Sequence, residues 1–334
     1  MTAAPPLNVA PPWLAAACAT LRAAHAADRL PHALLIHEAP GAGGEWLAIW
    51  LAQLALCQKP AEAPCASCTG CRRAQALQHP DLSWLGLLEE SRQIRIEQVR
   101  ELSAELALTS HAGGYKVAIL TPADALNRFA ANALLKTLEE PPPRTLLVLV
   151  ASQPSRLPAT VLSRCQRLRV AAPKRAEAIA WLTSVRGPGE WEGALDALGE
   201  APMLAVQADA AAVAQVGADT RAALEGLLSG QTDPVAAAER WGRADFALRL
   251  QCFENWLTDR IRGAERAGAF LTELRAAPYL SSAAPFLNIR ELFGLVDEVR
   301  DLRATLDVSV NRALALESIF RRLAPAQRTS GVRG

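Results

Sequence analysis

The chain has 334 residues, of which 51% are hydrophobic, so it is long enough for two or three domains with well-packed cores. Its 35 Lys and Arg residues nearly balance 34 Asp and Glu residues, and the formal charge of +1 excludes an overall electrostatic attraction to nucleic acids or membranes. No apolar stretch reaches the roughly 18 to 20 residues of a membrane span, and the first residues lack the pattern of a signal peptide. We therefore expect a cytoplasmic protein.

In the first half of the chain, short apolar runs alternate with helical patterns, which is typical of a parallel sheet covered by helices. The runs at 33–36, 117–120 and 146–151 predict buried strands. A helix is predicted over about 124–140, and the three prolines after it end the helix, because proline disfavours helical backbone in the residue before it. An earlier amphipathic helix has its apolar residues at three- and four-residue spacing, namely Ile96, Val99, Leu102 and Leu106.

The segment from Glu38 to Glu45 resembles a phosphate-binding loop of the pattern G-x-x-x-x-G-K-[ST]. Backbone N–H groups of such a loop hold phosphates, its Lys reaches the β- and γ-phosphates, and its hydroxyl holds Mg²⁺. Here Gly44 stands at the Lys position, Glu45 at the hydroxyl position, and Glu38 at the first Gly. We expect no productive ATP binding, so that Gly41 and Gly43 serve the tight strand-to-helix turn, while weak non-catalytic binding through them stays open.

Four of the seven cysteines follow in the pattern Cys57-x7-Cys65-x2-Cys68-x2-Cys71. Four thiolates at about 2.3 Å are a ligand set of tetrahedral Zn²⁺, and the Cys-x2-Cys spacing places two sulfurs on one turn. The pattern predicts one structural zinc ion in a closed site, with no open position for catalysis. The alternatives are four reduced cysteines or a disulfide, and a reducing compartment disfavours the disulfide.

The strand predicted at 117–120 is followed by Thr121 and Pro122. ATP-hydrolysing proteins with a phosphate-binding loop place an acidic Mg²⁺ ligand at the end of a second strand, and in oligomeric ones a neighbouring Glu activates water. A hydroxyl and a proline occupy those places here. Two losses on one scaffold favour an ancestral NTPase fold without hydrolytic activity.

Beyond about residue 171 no strand-like run recurs, and Ala- and Leu-rich helical patterns are broken at 187–189, 230–234 and 277–278. We predict a small helical domain over 171–208 and a larger one over 209–325. The remaining predicted features are two final helices near 288–306 and 309–323 and a polar, flexible tail at 326–334.

Three segments carry a family resemblance: Arg-Leu-Pro-His-Ala at 29–33, Asn-Ala-Leu-Leu-Lys-Thr-Leu-Glu-Glu-Pro-Pro at 132–142, and Ser-Arg-Cys at 163–165. With them the chain resembles, over almost its whole length, the delta-prime subunits of the bacterial DNA polymerase III clamp loader. The resemblance implies an α/β P-loop NTPase-like (AAA+) module with a parallel sheet, an all-α lid domain and an all-α collar domain. The implied ranges are 1–170 for the module with its zinc knot at 57–71, 171–208 for the lid and 209–325 for the collar.

In that family the loader is a ring-like pentamer that uses ATP to open the sliding clamp and place it on primed DNA, and delta-prime itself does not bind ATP productively. The resemblance implies that Arg164, from the Ser-Arg-Cys motif, enters a neighbour's ATP site as an arginine finger. It also implies a hetero-oligomer with the ATPase subunits and the clamp-opening delta subunit, which meets the clamp and primed DNA through the complex and needs no membrane. Ser152 and Pro202 stand where ATP-binding relatives carry sensor residues.

Two other functions stay open. An autonomous AAA+ ATPase with a divergent loop would bind ATP at micromolar concentration as an isolated chain. A zinc-dependent DNA-binding protein is the second, although the near-neutral charge and the absence of a basic recognition helix count against it. His32, His37 and His79 have no second ligand at a suitable spacing, so we expect structural roles for them.

Overall fold

The computed structural model describes residues 9–88, 91–266, 289–304 and 311–324. Contacts divide the chain into two compact units, with the boundary between Trp181 and Leu182. Every helix in the described ranges is too short or too polar to cross a membrane.

The first unit contains the strands β1 (Ala33–Glu38), β2 (Leu82–Leu85), β3 (Lys116–Leu120), β4 (Thr145–Ala151) and β5 (Gln166–Val170). They form one parallel sheet in the order β2-β3-β4-β1-β5. β1, β3 and β4 confirm the strands predicted from the apolar runs. The edge strands β2 and β5 lack such a run, because an edge strand is only partly covered, and β5 exposes Arg167 and Arg169.

The helices of the first unit are α1 (Ala15–Ala26), α2 (Gly44–Ala55), α3 (Thr69–Gln75), α4 (Ile96–Ala107), α5 (Arg128–Glu139), α6 (Ala159–Leu162) and α7 (Arg175–Arg186), the last of which continues across the boundary between the units. α4 confirms the predicted amphipathic helix. α5 begins four residues later than predicted, because the side chain of Asn127 accepts a hydrogen bond from the Ala130 N–H at 2.8 Å and caps the helix there. Residues 123–125 form a separate 3-10 turn.

Both faces of the central strands are covered, which explains their continuous apolar sequences. Successive side chains of a strand point to opposite faces, so β1 contributes to two cores. Leu34 and Ile36 pack with α1 and α2 in one core, whereas Ala33 and Leu35 pack with α4 and α5 in the other. The sheet is therefore the middle layer of a three-layer unit.

The parallel arrangement brings the carboxyl ends of the strands to one edge of the sheet. Glu38 ends β1 and Thr121 directly follows β3, so both lie at this carboxyl edge. The amino ends lie at the opposite edge, where Gln166 at the start of β5 pairs with Leu34 near the start of β1. The segments before and after each strand are thus separated by the length of that strand.

The second unit is helical throughout the part that the structure describes. Its helices are α8 (Trp191–Leu198), α9 (Pro202–Ala205), α10 (Ala210–Leu228), α11 (Pro234–Arg243), α12 (Phe246–Arg266), α13 (Ile289–Ala304) and α14 (Arg312–Leu323). The fully buried Trp241 packs edge-on against Phe253 and Phe320, with ring centroids 6.0 and 4.8 Å away, and forms the centre of the core.

Helix α8 lies in the range predicted as a lid but packs against α10 and α12 of the range predicted as a collar. Close approach of α8 and α10 needs glycine, since a Cβ on Gly193 would lie 2.7 Å from the Cβ of Ala214. The boundaries of the lid and collar domains stay predictions. The predicted break at 277–278 and the tail at 326–334 lie outside the described residues.

A buried carboxylate connects β2 to the loop that enters β3. Asp81 precedes β2, is 1% exposed, and accepts hydrogen bonds from the N–H groups of His111 and Ala112 at 2.8 and 3.0 Å and from the hydroxyl of Ser110 at 3.1 Å. Burial by itself would raise the pKa of Asp81, but these hydrogen bonds outweigh it, so the pKa lies below its ordinary value. Asp81 therefore holds this loop as an ionised group.

Replacing Asp81 should destabilise the protein in a pH-dependent way. The variant Asp81→Asn should lose about 3 kcal/mol of unfolding free energy at pH 7, because the amide cannot accept all three hydrogen bonds. A lowered pKa contributes stability that is complete above the ordinary value of 3.8 and is lost as the pH falls through the folded-state value. Urea unfolding at several pH values should show the difference from the wild type shrinking below about pH 4. The exposed control Glu101→Gln should show neither effect, and an equal loss at pH 7 and pH 3 would contradict the prediction.

Candidate functional site

The loop between β1 and α2, residues 38–45, is called the phosphate loop here. Gly41 and Gly43 both have positive φ, at 68° and 105°, a conformation that favours glycine. Gly43 is the N-cap of α2. These glycines form the tight strand-to-helix turn expected from the sequence.

The carboxyl group of Glu38 lies at the N-terminus of α2, where the N–H groups of a phosphate-binding loop are found. Its Oε2 accepts hydrogen bonds from the backbone N–H groups of Gly43 and Gly44, at 3.1 and 2.6 Å. These N–H groups belong to the N-terminus of α2, where the helix dipole favours negative charge. The loop thus binds a carboxyl group that the chain itself supplies.

The fit around this carboxylate is close. A Cβ on Gly44 would lie 2.8 Å from Cδ of Glu38 and 2.8 Å from a methyl carbon of Val150, so no larger residue is accommodated without a shift. Partial burial raises the pKa of Glu38 to about 7, with smaller raising effects from Glu45 and Asp124, whereas the N–H groups of Gly44 and Gly43 lower it. The charge of the Glu38 carboxyl group in this loop therefore changes near neutral pH.

Two further degenerate positions, Glu45 and Thr121, contact each other. The hydroxyl of Thr121 donates a hydrogen bond of 2.8 Å to Oε1 of Glu45. Glu45 stands at the hydroxyl position of the phosphate loop and Thr121 at the position of the second strand's acidic residue. Both would face a Mg²⁺ ion in a working site, and here they are paired with one another.

The N-terminal segment packs against the phosphate loop. The indole N–H of Trp13 donates a 2.7 Å hydrogen bond to the carbonyl of Ala42. Trp13 also packs edge-on against Trp181, with ring centroids 5.2 Å apart, and the Trp181 indole donates to the carbonyl of Val9 at 3.3 Å. Trp13 thus contacts the loop directly, and Trp181 packs on Trp13.

Arg164 lies in the turn between α6 and β5. Its guanidinium donates to the carbonyl of Thr160 at 3.0 Å and forms a 2.6 Å ion pair with Glu139 at the end of α5. The next residue, Cys165, is buried in the core, and burial raises its thiol pKa to about 11. Cys165 anchors the turn, while the Arg164 side chain stays 36% exposed.

Arg164 and the phosphate loop lie at opposite edges of the sheet. Gln166, two residues after Arg164, pairs with Leu34, whereas Glu38 pairs with Val170 at the other end of β5. The four residues from Leu34 to Glu38 span about 13 Å, at roughly 3.3 Å per residue. Arg164 therefore lies at the edge of the sheet opposite the phosphate loop of its own chain.

The cysteine cluster, Cys57, Cys65, Cys68 and Cys71, is formed by the segment that follows α2 and by the first turn of α3. The four sulfurs lie within 4.8 Å of one another, with 3.9 Å between Cys57 and Cys68 and 3.9 Å between Cys65 and Cys71. Gly70 is required at its place, since a Cβ there would lie 2.3 Å from the carbonyl oxygen of Leu56. Such a set of four sulfurs could hold a metal ion.

Two of the three histidines considered in the sequence, His32 and His79, form hydrogen bonds with the backbone. The ring of His32 hydrogen-bonds the carbonyl of Leu138 at 3.1 Å, and Nδ1 of His79 accepts from the N–H of Asp81 at 3.0 Å. Sequence reasoning missed Glu38 as the occupant of the loop, and it missed Glu139 as the partner of Arg164. The feature of the sequence that could have indicated this role of Glu38 is its position at the first glycine of the G-x-x-x-x-G-K-[ST] pattern.

Comparison with known proteins gives consistent matches. The family described as DNA polymerase III, delta subunit, matches residues 13–174. DNA polymerase III subunit delta' of Pseudomonas aeruginosa is 38% identical over 321 residues, covering 92% of this chain and 95% of that protein. The subunit delta' of Escherichia coli is 32% identical over 322 residues, covering 93% and 94%.

A solved structure supports the fold. The DNA polymerase III, gamma subunit-related protein from Thermotoga maritima superposes with a TM-score of 0.50, at 18% identity and with 92% of this chain and 98% of that chain covered. At this identity the likeness concerns the fold alone. The predicted AAA+ class, a parallel sheet with helices followed by an all-helical region, is confirmed.

The pKa of Glu38 leads to a prediction for stability. A carboxyl whose pKa rises from 4.5 to about 7 on folding contributes stability below pH 4.5 that is lost as the pH rises to about 7. The variant Glu38→Gln does not titrate, so its unfolding free energy relative to the wild type should increase between pH 5 and pH 8. Urea unfolding at both pH values measures this difference, with Glu101→Gln as the exposed control. A relative stability that falls over this range would show that the pKa of Glu38 is not raised.

Proposed function

Because the chain belongs to the family of DNA polymerase III delta' subunits, we propose that it is a non-hydrolysing subunit of the clamp-loader complex, which loads the sliding clamp onto primed DNA during replication. Membership of this family confirms the resemblance indicated by the sequence motifs. The filled phosphate loop supports the non-hydrolysing role, since Glu38 takes its N–H groups and Glu45 is paired with Thr121. The proposal places the subunit in the cytoplasm.

Arg164 is proposed as an arginine finger that acts on a neighbouring subunit. The observation that carries this role is its position at the amino edge of the sheet, away from the chain's own phosphate loop. A guanidinium supplied from another subunit offsets the charge on a phosphoryl group in transfer. Thr160 and Glu139 hold the guanidinium near the surface, so it is partly ordered before a neighbour binds.

The proposed partners follow from this role. The ATPase subunits provide the site that receives Arg164, and the clamp-opening delta subunit completes a hetero-oligomer. The sliding clamp and primed DNA are reached through the complex. A formal charge of +1 is consistent with a subunit that needs no strong DNA affinity of its own.

Removal of the finger should impair hydrolysis in the neighbour. In a reconstituted clamp loader, Arg164→Ala should leave assembly intact and reduce DNA-stimulated ATP hydrolysis at the adjacent site by about tenfold or more, because the transferring phosphoryl group loses a cation. Size-exclusion chromatography checks assembly, and single-turnover phosphate release measures hydrolysis at that site.

The matched control is Arg156→Ala, which removes an exposed arginine from the 3-10 turn at 154–156. It should hydrolyse ATP at the wild-type rate. Wild-type hydrolysis by the assembled Arg164→Ala complex would remove the finger from the proposal. Loss of assembly in that variant would instead assign Arg164 to the interface alone.

The cysteine cluster is proposed to hold one structural Zn²⁺ ion. Four thiolates at about 2.3 Å in a tetrahedron place the sulfurs about 3.8 Å apart, and the two 3.9 Å separations are close to this value. Backbone N–H groups of Cys68 and Cys71 already donate to Sγ of Cys65 and Cys68, at 3.3 Å each, as suits negatively charged sulfur. With four protein ligands, the ion would be closed to substrate.

Metal analysis tests this site. The purified chain should contain about one zinc ion, and Cys71→Ser should lose most of it and melt at a lower temperature, because metal binding is coupled to folding. The control Cys18→Ser changes a cysteine outside the cluster and should keep the metal. A wild-type chain without zinc, purified without chelator, would exclude the site.

A further inference from the structure

The phosphate loop is closed from inside by a side chain of its own. We propose that the Glu38 carboxylate is a built-in substitute for the phosphate of a nucleotide, and that it excludes phosphate-bearing ligands from the loop. This role of Glu38 rests on the proposed non-hydrolysing function, because it gives the physical means by which ATP is kept out. It also predicts that the retained glycines do not bind phosphate while Glu38 is in place.

The hydrogen bonds of Glu38 are the ones a phosphate oxygen would need. The N–H groups of Gly43 and Gly44 converge on one carboxylate oxygen, at 3.1 and 2.6 Å, at the N-terminus of the 12-residue helix α2. A carboxylate resembles a phosphate in charge and in its acceptor oxygens. An incoming phosphate would therefore have to displace Glu38 before it could use either donor.

Displacement is unfavourable for two reasons. Glu38 is only five residues from Gly43, so the carboxylate competes as an intramolecular ligand at a high effective concentration. The space beside it is also filled, since a Cβ on Gly44 would lie within 2.8 Å of both Glu38 and Val150. Gly44, which stands at the position of the missing Lys, is thus in close contact with Glu38 itself.

Occupation by Glu38 and loss of the Lys make different predictions. If the missing Lys alone prevented ATP binding, the backbone N–H groups would still bind a simple oxyanion such as phosphate. Removal of Glu38 would then have little effect on phosphate affinity. If Glu38 closes the loop, its removal alone should open the site without restoring a Lys. The variant that separates these cases is Glu38→Ala.

The experiment compares the full-length, metal-loaded chain with Glu38→Ala at pH 8, titrated with inorganic phosphate at constant ionic strength. Calorimetry and thermal unfolding report binding, because a ligand of the folded state raises the melting temperature as its concentration exceeds the dissociation constant. Glu38→Ala should bind phosphate at least about tenfold more tightly than the wild type, since two helix N-terminal donors are released.

Two controls separate occupation from charge. Glu45→Ala removes an equal negative charge beside the loop but leaves Glu38 on the N–H groups of Gly43 and Gly44, so its phosphate affinity should stay at the wild-type level. Glu38→Gln retains an oxygen that can accept from those N–H groups and should also stay closed. A gain in Glu45→Ala equal to that in Glu38→Ala would overturn the proposal, because charge alone would then explain the exclusion.

The proposal is also overturned if folded Glu38→Ala gains no phosphate affinity, or if the wild type already binds phosphate as tightly as the variant. Glu38→Ser replaces the alanine variant if the latter fails to fold, with the same expected gain. These outcomes are independent of the proposed function. That function would fail if the wild-type chain itself hydrolysed ATP.

Discussion

Parallel pairing of β1 with β4 and β5 is the constraint on which the rest of the first unit depends. Because every strand runs in the same direction, the residues that follow the strands meet at the carboxyl edge and the residues that precede them meet at the amino edge. Glu38 and Thr121 are brought together at the first edge. Arg164 and Glu139 are brought together at the second. The sheet keeps these two sets apart, with the degenerate loop at one edge and the partly exposed side chain of Arg164 at the other.

Polar groups at the carboxyl edge of the sheet find their partners within the chain itself. Buried backbone donors need partners, and an empty loop would leave the N–H groups of Gly43 and Gly44 unsatisfied. Glu38 supplies that partner, Glu45 and Thr121 satisfy each other, and Trp13 takes the carbonyl of Ala42. The loop therefore persists as a structural turn, and the chemistry proposed for this subunit acts through Arg164.

Several elements were predictable because their local sequence pattern is compatible with only one type of secondary structure. β1, β3 and β4 are continuously apolar since both faces are buried, and α4 has an apolar stripe at helical spacing. The cysteine spacing predicted the cluster that the structure brings together. The edge strand β5 could not be recognised in this way, because its Arg167 and Arg169 side chains face solvent and remove the apolar signal. The start of α5 depended on the cap at Asn127, whose contribution is visible only in the backbone geometry.

The sequence by itself determined the fold class, the loss of the Lys and hydroxyl positions from the phosphate loop, and the four-cysteine pattern, because these depend on residue types at fixed local spacing. Only the tertiary structure decided what fills the loop and where Arg164 lies relative to it. Glu38 reaches the N–H groups of Gly43 and Gly44 through the turn into α2, and Glu45 meets Thr121 across 76 positions of the chain. Such contacts depend on strand order and register, and no local pattern of residues specifies either.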